Sequence, residues 1–100
     1  MKARLLLRQK FTDEDGDLME WVVWKVTTGP LYREGVRYRL AYIPREMVEP
    51  AVLYDNHHPK GHPKHLEDLE QPYHYSGIDQ LLADFKNDVQ LWKKTRGRLP

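Results

Sequence analysis

Between Tyr54 and His65 the chain reads Tyr-Asp-Asn-His-His-Pro-Lys-Gly-His-Pro-Lys-His, and four of its five histidines lie in that stretch, with His74 shortly after. An imidazole titrates near neutrality, so it takes a proton from one oxygen and returns one to another, while a neighbouring lysine stabilises the charge that builds on a phosphorane. Cleavage of RNA through its own 2′-hydroxyl needs little beyond these parts. On this reading His62 and His65 are the acid and base, Lys60 and Lys64 hold phosphate, and Asp55 orients an imidazole. Asn56 and Tyr54 offer further hydrogen bonds to substrate, and Gly61 lets the backbone approach a phosphate.

Two other readings of the same segment stay open. His58, His62 and His65, with Asp55 as an oxygen ligand, have the donor types of a zinc or manganese site. Their spacings of four and three are diagnostic only on a helix, however, and Pro59, Gly61 and Pro63 oppose a helix there. The third reading is a solvated histidine loop without chemistry. No cofactor is called for by any motif, and a direct acid/base site needs no metal.

The elements that must position this segment follow from periodicity. Lys2 to Phe11 sets Ala3, Leu5, Leu7 and Phe11 on one parity against Arg4, Arg8 and Lys10 on the other, the two-residue period of a half-buried strand, with Leu6 as the exception. Asp13-Glu14-Asp15-Gly16 then reads as a solvated hairpin turn. Leu18 to Thr28 is rich in β-branched and aromatic residues and is expected to be the central strand of that hairpin. Val36 to Ile43 alternates again and stops at Pro44, and Ala51 to Tyr54 forms a fourth strand that delivers the chain into the histidine segment.

With Pro59, Gly61, Pro63 and Pro72 inside it, the segment from Asp55 to Tyr75 is predicted to be one long surface loop. Ser76 is the expected N-cap of a helix on which Ile78, Leu81, Leu82, Phe85, Val89 and Trp92 form a single apolar face. The predicted fold is therefore α+β: a mainly antiparallel sheet of about four strands, packed by a C-terminal helix, with the long His-rich loop at one end. All 100 residues form one domain, residues 1–100.

Composition removes several classes. The absence of cysteine excludes disulfides, thiolate nucleophiles and Cys-type zinc sites. No apolar run spans a bilayer and Leu5-Leu6-Leu7 follows charges without a signal-peptide core, so a cytoplasmic protein is expected. The net charge of +1 is no nucleic-acid signature by itself, with nine Lys/Arg against eight Asp/Glu in residues 1–50 and seven against seven in 51–100. A basic surface arises only if the sheet brings Arg37 and Arg39 to the same side as Arg4, Arg8 and Lys10; an ordinary solvent face is the alternative. Trp21, Trp24, Tyr38 and Tyr42 are expected in the core rather than as base-stacking platforms.

Tyr54-Asp55-Asn56, Lys60-Gly61-His62-Pro63-Lys64-His65, Gln71-Pro72-Tyr73 and Leu81-Leu82-Ala83-Asp84-Phe85, in that order, resemble the signature of the TumE-type toxins. The strand with Trp24 and the Tyr38-Arg39-Leu40 strand also fit, so the resemblance covers nearly the whole chain. It implies the toxin of a type II toxin–antitoxin pair, acting on RNA or translation to arrest growth and held inactive by a cognate helix-turn-helix antitoxin. Asp55, Asn56, Lys60, Gly61, His62 and His65 match that signature, whereas Pro63 stands for a histidine, Lys64 for an arginine and Gln71 for an acid. The departure at Pro63 leaves His62 with His65 as the pair for metal-independent RNA cleavage. A non-enzymatic module that binds nucleic acid or protein is the alternative, and a metal-dependent nuclease the second. An exposed edge strand would serve either a homodimer or the antitoxin.

Overall fold

The computed structural model describes residues 3–57 and 62–97. Six strands precede one helix: β1 (Arg4–Thr12), β2 (Leu18–Lys25), β3 (Val36–Ile43), β4 (Val52–Asp55), β5 (Pro63–Leu66), β6 (Leu69–Pro72) and α1 (Ile78–Thr95). The strands form one antiparallel meander in chain order, so the α+β architecture with a C-terminal helix holds. The sheet has six strands rather than four, because part of the expected histidine loop pairs as the β5–β6 hairpin. The prolines do not prevent this: Pro63 and Pro72 face each other at the open end of the hairpin, where a missing N–H costs little. Glu67 turns the hairpin in the left-handed region at φ 57°.

Alternation decides which face is covered. Met19, Val23, Tyr38, Leu40, Tyr42, Val52 and Tyr54 point to one side, where they are buried with Leu81, Phe85 and Val89 of α1. Full burial of each of the larger side chains is worth roughly 1.5–3 kcal/mol, which makes this face the source of the fold's stability. Trp21 and Tyr42 share this side as expected. Trp24 does not, since it pairs with Arg37 on the opposite face.

Two local features depart from the expected pattern. The β1–β2 register passes from Leu5↔Trp24 to Leu7↔Val23, so Leu6 is a bulge residue and Leu5 and Leu7 lie on opposite faces despite their common parity. The helix begins after Gly77, at φ 113° and without a side-chain cap, rather than at a Ser76 cap. A conformation that L side chains resist falls on the glycine, and Asp79 in the first turn complements the dipole instead.

The acidic β1–β2 turn is a latch rather than a solvated loop. Asp17 is fully buried and accepts bonds from the Tyr42 hydroxyl at 2.6 Å and the Arg45 amide at 2.9 Å. Lys93 of α1 reaches Asp13 at 2.6 Å and Asp15 at 3.1 Å. Burial alone would lower the Lys93 pKa, but hydrogen bonds to those two carboxylates more than offset it and raise the value. The turn thereby ties the first hairpin to the end of the helix.

Candidate functional site

Side chains alternate between faces along β4 and β5, and this divides the sequence-predicted site residues into two groups. Tyr54 and Lys64 pair across the strands on the helix-covered face, while Leu53 and His65 pair on the open one. His62, three residues before His65, belongs with the covered side, where its ring meets Tyr38 and Tyr75. The proposed acid/base pair of His62 and His65 is thus not brought together. An odd separation along a strand sends two side chains to opposite faces.

On the covered side His62 is held from every direction. The Tyr38 hydroxyl lies 2.7 Å from Nδ1 and a Glu34 carboxylate oxygen 2.7 Å from Nε2. Burial pushes the Tyr38 phenol far up, so it keeps its proton and donates it to Nδ1. The Nε2–H then donates to Glu34, whose carboxyl is held below its ordinary range chiefly by that bond. The imidazole also stacks between the Tyr38 and Tyr75 rings, at centroid distances of 5.6 and 5.3 Å. Both ring nitrogens are engaged, which makes His62 an anchor for the end of its loop.

Other signature residues on this side are also committed to structure. Asn56 is buried; its side-chain oxygen accepts from the Tyr38 amide at 2.7 Å and its NH₂ donates to the Val36 carbonyl at 2.8 Å, so both ends of its amide are tied to β3. Tyr54 donates to Asp88 of α1, and Lys64 reaches the same carboxylate at 3.0 Å. Tyr73 donates to Asp84 at 2.6 Å, so the Gln-Pro-Tyr and Leu-Leu-Ala-Asp-Phe motifs bond to each other. Burial raises the Tyr54 and Tyr73 phenols, which keeps both as donors. Lys60, Gly61 and His58 lie outside the described residues.

The open face carries the remaining candidates and is covered by no described element. Its rows follow the register: Arg8, Val22, Arg39 and Asp55 in one, and Lys10, Glu20, Ala41, Leu53, His65 and Glu70 in the next. Arg37 and Arg39 therefore do share a face with Arg8 and Lys10, whereas the Leu6 bulge sends Arg4 opposite Lys25 and away from that face. A shallow depression of about 230 Å³ is lined by Glu20, Val22, Trp24, Arg37, Tyr38, Arg39 and His57.

At its margin Asp55 accepts from the His57 amide at 2.8 Å and faces the His57 ring Nδ1 at 3.4 Å. This carboxylate orients the imidazole. Arg39 is bound to Glu20 at 3.1 Å, while Arg37 is exposed and has no ion-pair partner among the described residues. His65 sits further along the same face, 3.7 Å from Glu70. His57 was not among the residues singled out from sequence, although its two-residue spacing from Asp55 places both on one side. Glu34 and Trp24 were also missed; Glu34 lies in a loop with no pattern to connect it to His62.

A small antiparallel sheet with one face closed by a helix and the other bearing arginines, carboxylates, a tryptophan and two histidines defines a compact α+β domain. A family model described as toxin TumE matches residues 2–93, and the chain belongs to that family. It is the toxin of a toxin–antitoxin system, with a cognate antitoxin as its partner. No curated protein and no solved structure matches it. Among the described residues no helix is long and apolar enough to cross a membrane.

Proposed function

We propose that this toxin acts on RNA in the cytoplasm and cleaves it on the open face of the sheet by metal-independent acid/base chemistry. The observation that carries this is the Asp55–His57 pair at the rim of a depression lined by Arg37, Arg39 and Trp24. His57, oriented by Asp55, takes the proton of the 2′-hydroxyl as that oxygen attacks phosphorus. Arg37 binds the phosphate and meets the charge that develops on its oxygens, Arg39 assists from the next row, and Trp24 offers a ring face to a base. His65, on the same face and 3.7 Å from Glu70, gives a proton to the departing 5′-oxygen, leaving a 2′,3′-cyclic phosphate. His62 acts as a positioning residue, held by Glu34 and Tyr38. The family resemblance supports a type II pair whose antitoxin is a helix-turn-helix protein.

The test is incubation of the purified toxin with end-labelled RNA in the presence of chelator. Wild type is expected to give cyclic-phosphate products, and His57→Ala to lose about 10²–10⁴-fold in rate with an unchanged melting temperature. Full activity in His57→Ala overturns the assignment. Wild-type binding without any product supports the non-enzymatic module, and cleavage abolished by chelator supports the metal-dependent nuclease.

A further inference from the structure

The two edges of the sheet are built differently. β6 is four residues long and ends in Pro72, which has no N–H to offer, so this edge is blunted. β1 is nine residues long, contains neither proline nor glycine, and has only Leu7 partly buried. Among the described residues β2 alone pairs with it. Beyond the Leu6 bulge the register runs unbroken from Leu7 to Thr12, so the outward N–H and C=O groups of that stretch form a regular template for another strand.

Its side chains limit what the strand accepts. Leu7 and Phe11 lie toward the helix-covered side, Phe11 edge-on to Trp21 at 5.6 Å, and Arg8 and Lys10 lie on the open side. A second copy fits poorly. Antiparallel two-fold pairing that keeps the faces matched and aligns five residues of the unbroken Leu7–Thr12 stretch is centred on Gln9 or Lys10, and these registers oppose Arg8 to Lys10 or Lys10 to Lys10. Like charges directly opposite are destabilising.

From this edge we infer that β1 accepts, as a seventh strand, an extended segment of a partner protein in which acidic residues facing Arg8 and Lys10 alternate with apolar residues beside Leu7 and Phe11. Membership of a toxin–antitoxin family makes the antitoxin the natural source of that segment. Strand addition here extends the face that bears Arg37 and Arg39 and brings acidic side chains onto it, yet the pairing itself stands independently of any RNA chemistry.

The probe is a capped peptide of alternating Glu and Val, read by titration and by amide hydrogen exchange over Leu7 to Thr12. Binding with slowed exchange of the outward amides is expected, at least about tenfold tighter than a Lys/Val counterpart, and lost when alternate peptide nitrogens are methylated. In the doubly substituted Arg8→Glu, Lys10→Glu chain the charge preference is expected to reverse. Equal binding by the N-methylated peptide reduces the contact to charge attraction and overturns the proposal. So does absence of exchange protection, or protection of the same amides by self-association in the unliganded protein. The RNA assay above is run without peptide, so the two proposals fail separately.

Discussion

The two faces of one sheet divide the labour of this protein. On the covered face nearly every polar side chain has a fixed partner: His62 with Glu34 and Tyr38, Tyr54 and Lys64 with Asp88, Tyr73 with Asp84. On the open face Arg37 is uncommitted among the described residues, and His57 and His65 meet their carboxylates at the longer distances of 3.4 and 3.7 Å. Rigid, satisfied groups hold a fold together, whereas contacts made at longer distance around a depression are the ones a ligand replaces at least cost. Histidine is therefore held in two ways here, with both ring nitrogens bound at His62 and beside a carboxylate at longer distance at His57 and His65.

Breaking the covered face should cost stability first. Phe85→Ala removes a fully buried ring at the centre of the helix–sheet contact and is expected to cost about 3–5 kcal/mol in urea unfolding. Asp17→Ala removes the acceptor of the buried Tyr42 hydroxyl and of the part-buried Arg45 amide and is expected to cost about 2–3 kcal/mol. On the open face the balance reverses. Arg37→Ala should move stability by no more than about 0.5 kcal/mol, while weakening RNA binding and flattening its salt dependence in a filter or anisotropy titration. An Arg37→Ala protein that unfolds as readily as the Phe85 variant would abolish the distinction between the faces.

Much of the covered face is legible in the sequence, because its two signals are strong. Val36, Tyr38, Leu40 and Tyr42 alternate without a break, and Leu81, Phe85 and Val89 recur at helical spacing, so strand, helix and shared core follow from periodicity. The open face is less legible. Pro63 and Pro72 disguise β5 and β6 as loop, and without β5 there is no reason to send His62 and His65 to opposite sides. The Leu6 bulge, which moves Arg4 off the basic face, has no local signature. Glu34 meets His62 across 28 positions, a contact fixed by tertiary packing alone. Two motif residues also bind the scaffold: Asn56 bonds the Tyr38 amide and Tyr54 bonds Asp88 of α1.

The smallest effect gives the sharpest comparison, because one conservative change can be made in each carboxylate–histidine pair. Glu34→Gln keeps an acceptor for His62 but removes the charge. The Glu34 carboxyl titrates lower in the folded protein than its ordinary 4.5, so its contribution to stability is fully present above that value. It is lost as pH falls through the lowered folded value. Wild type should therefore melt slightly above Glu34→Gln at neutral pH, and the gap should close as pH falls through the lowered Glu34 value in a thermal-denaturation series; Glu34 is partly exposed, so solvent screening keeps it small. Cleavage by Glu34→Gln should remain close to wild type, since His62 stays anchored. Asp55→Asn retains an oxygen for the His57 amide and should leave the melting temperature in place, yet it should lower the cleavage rate. Opposite signatures from two chemically identical substitutions would separate an anchoring histidine from a proton-carrying one, and matching signatures would assign both imidazoles the same role.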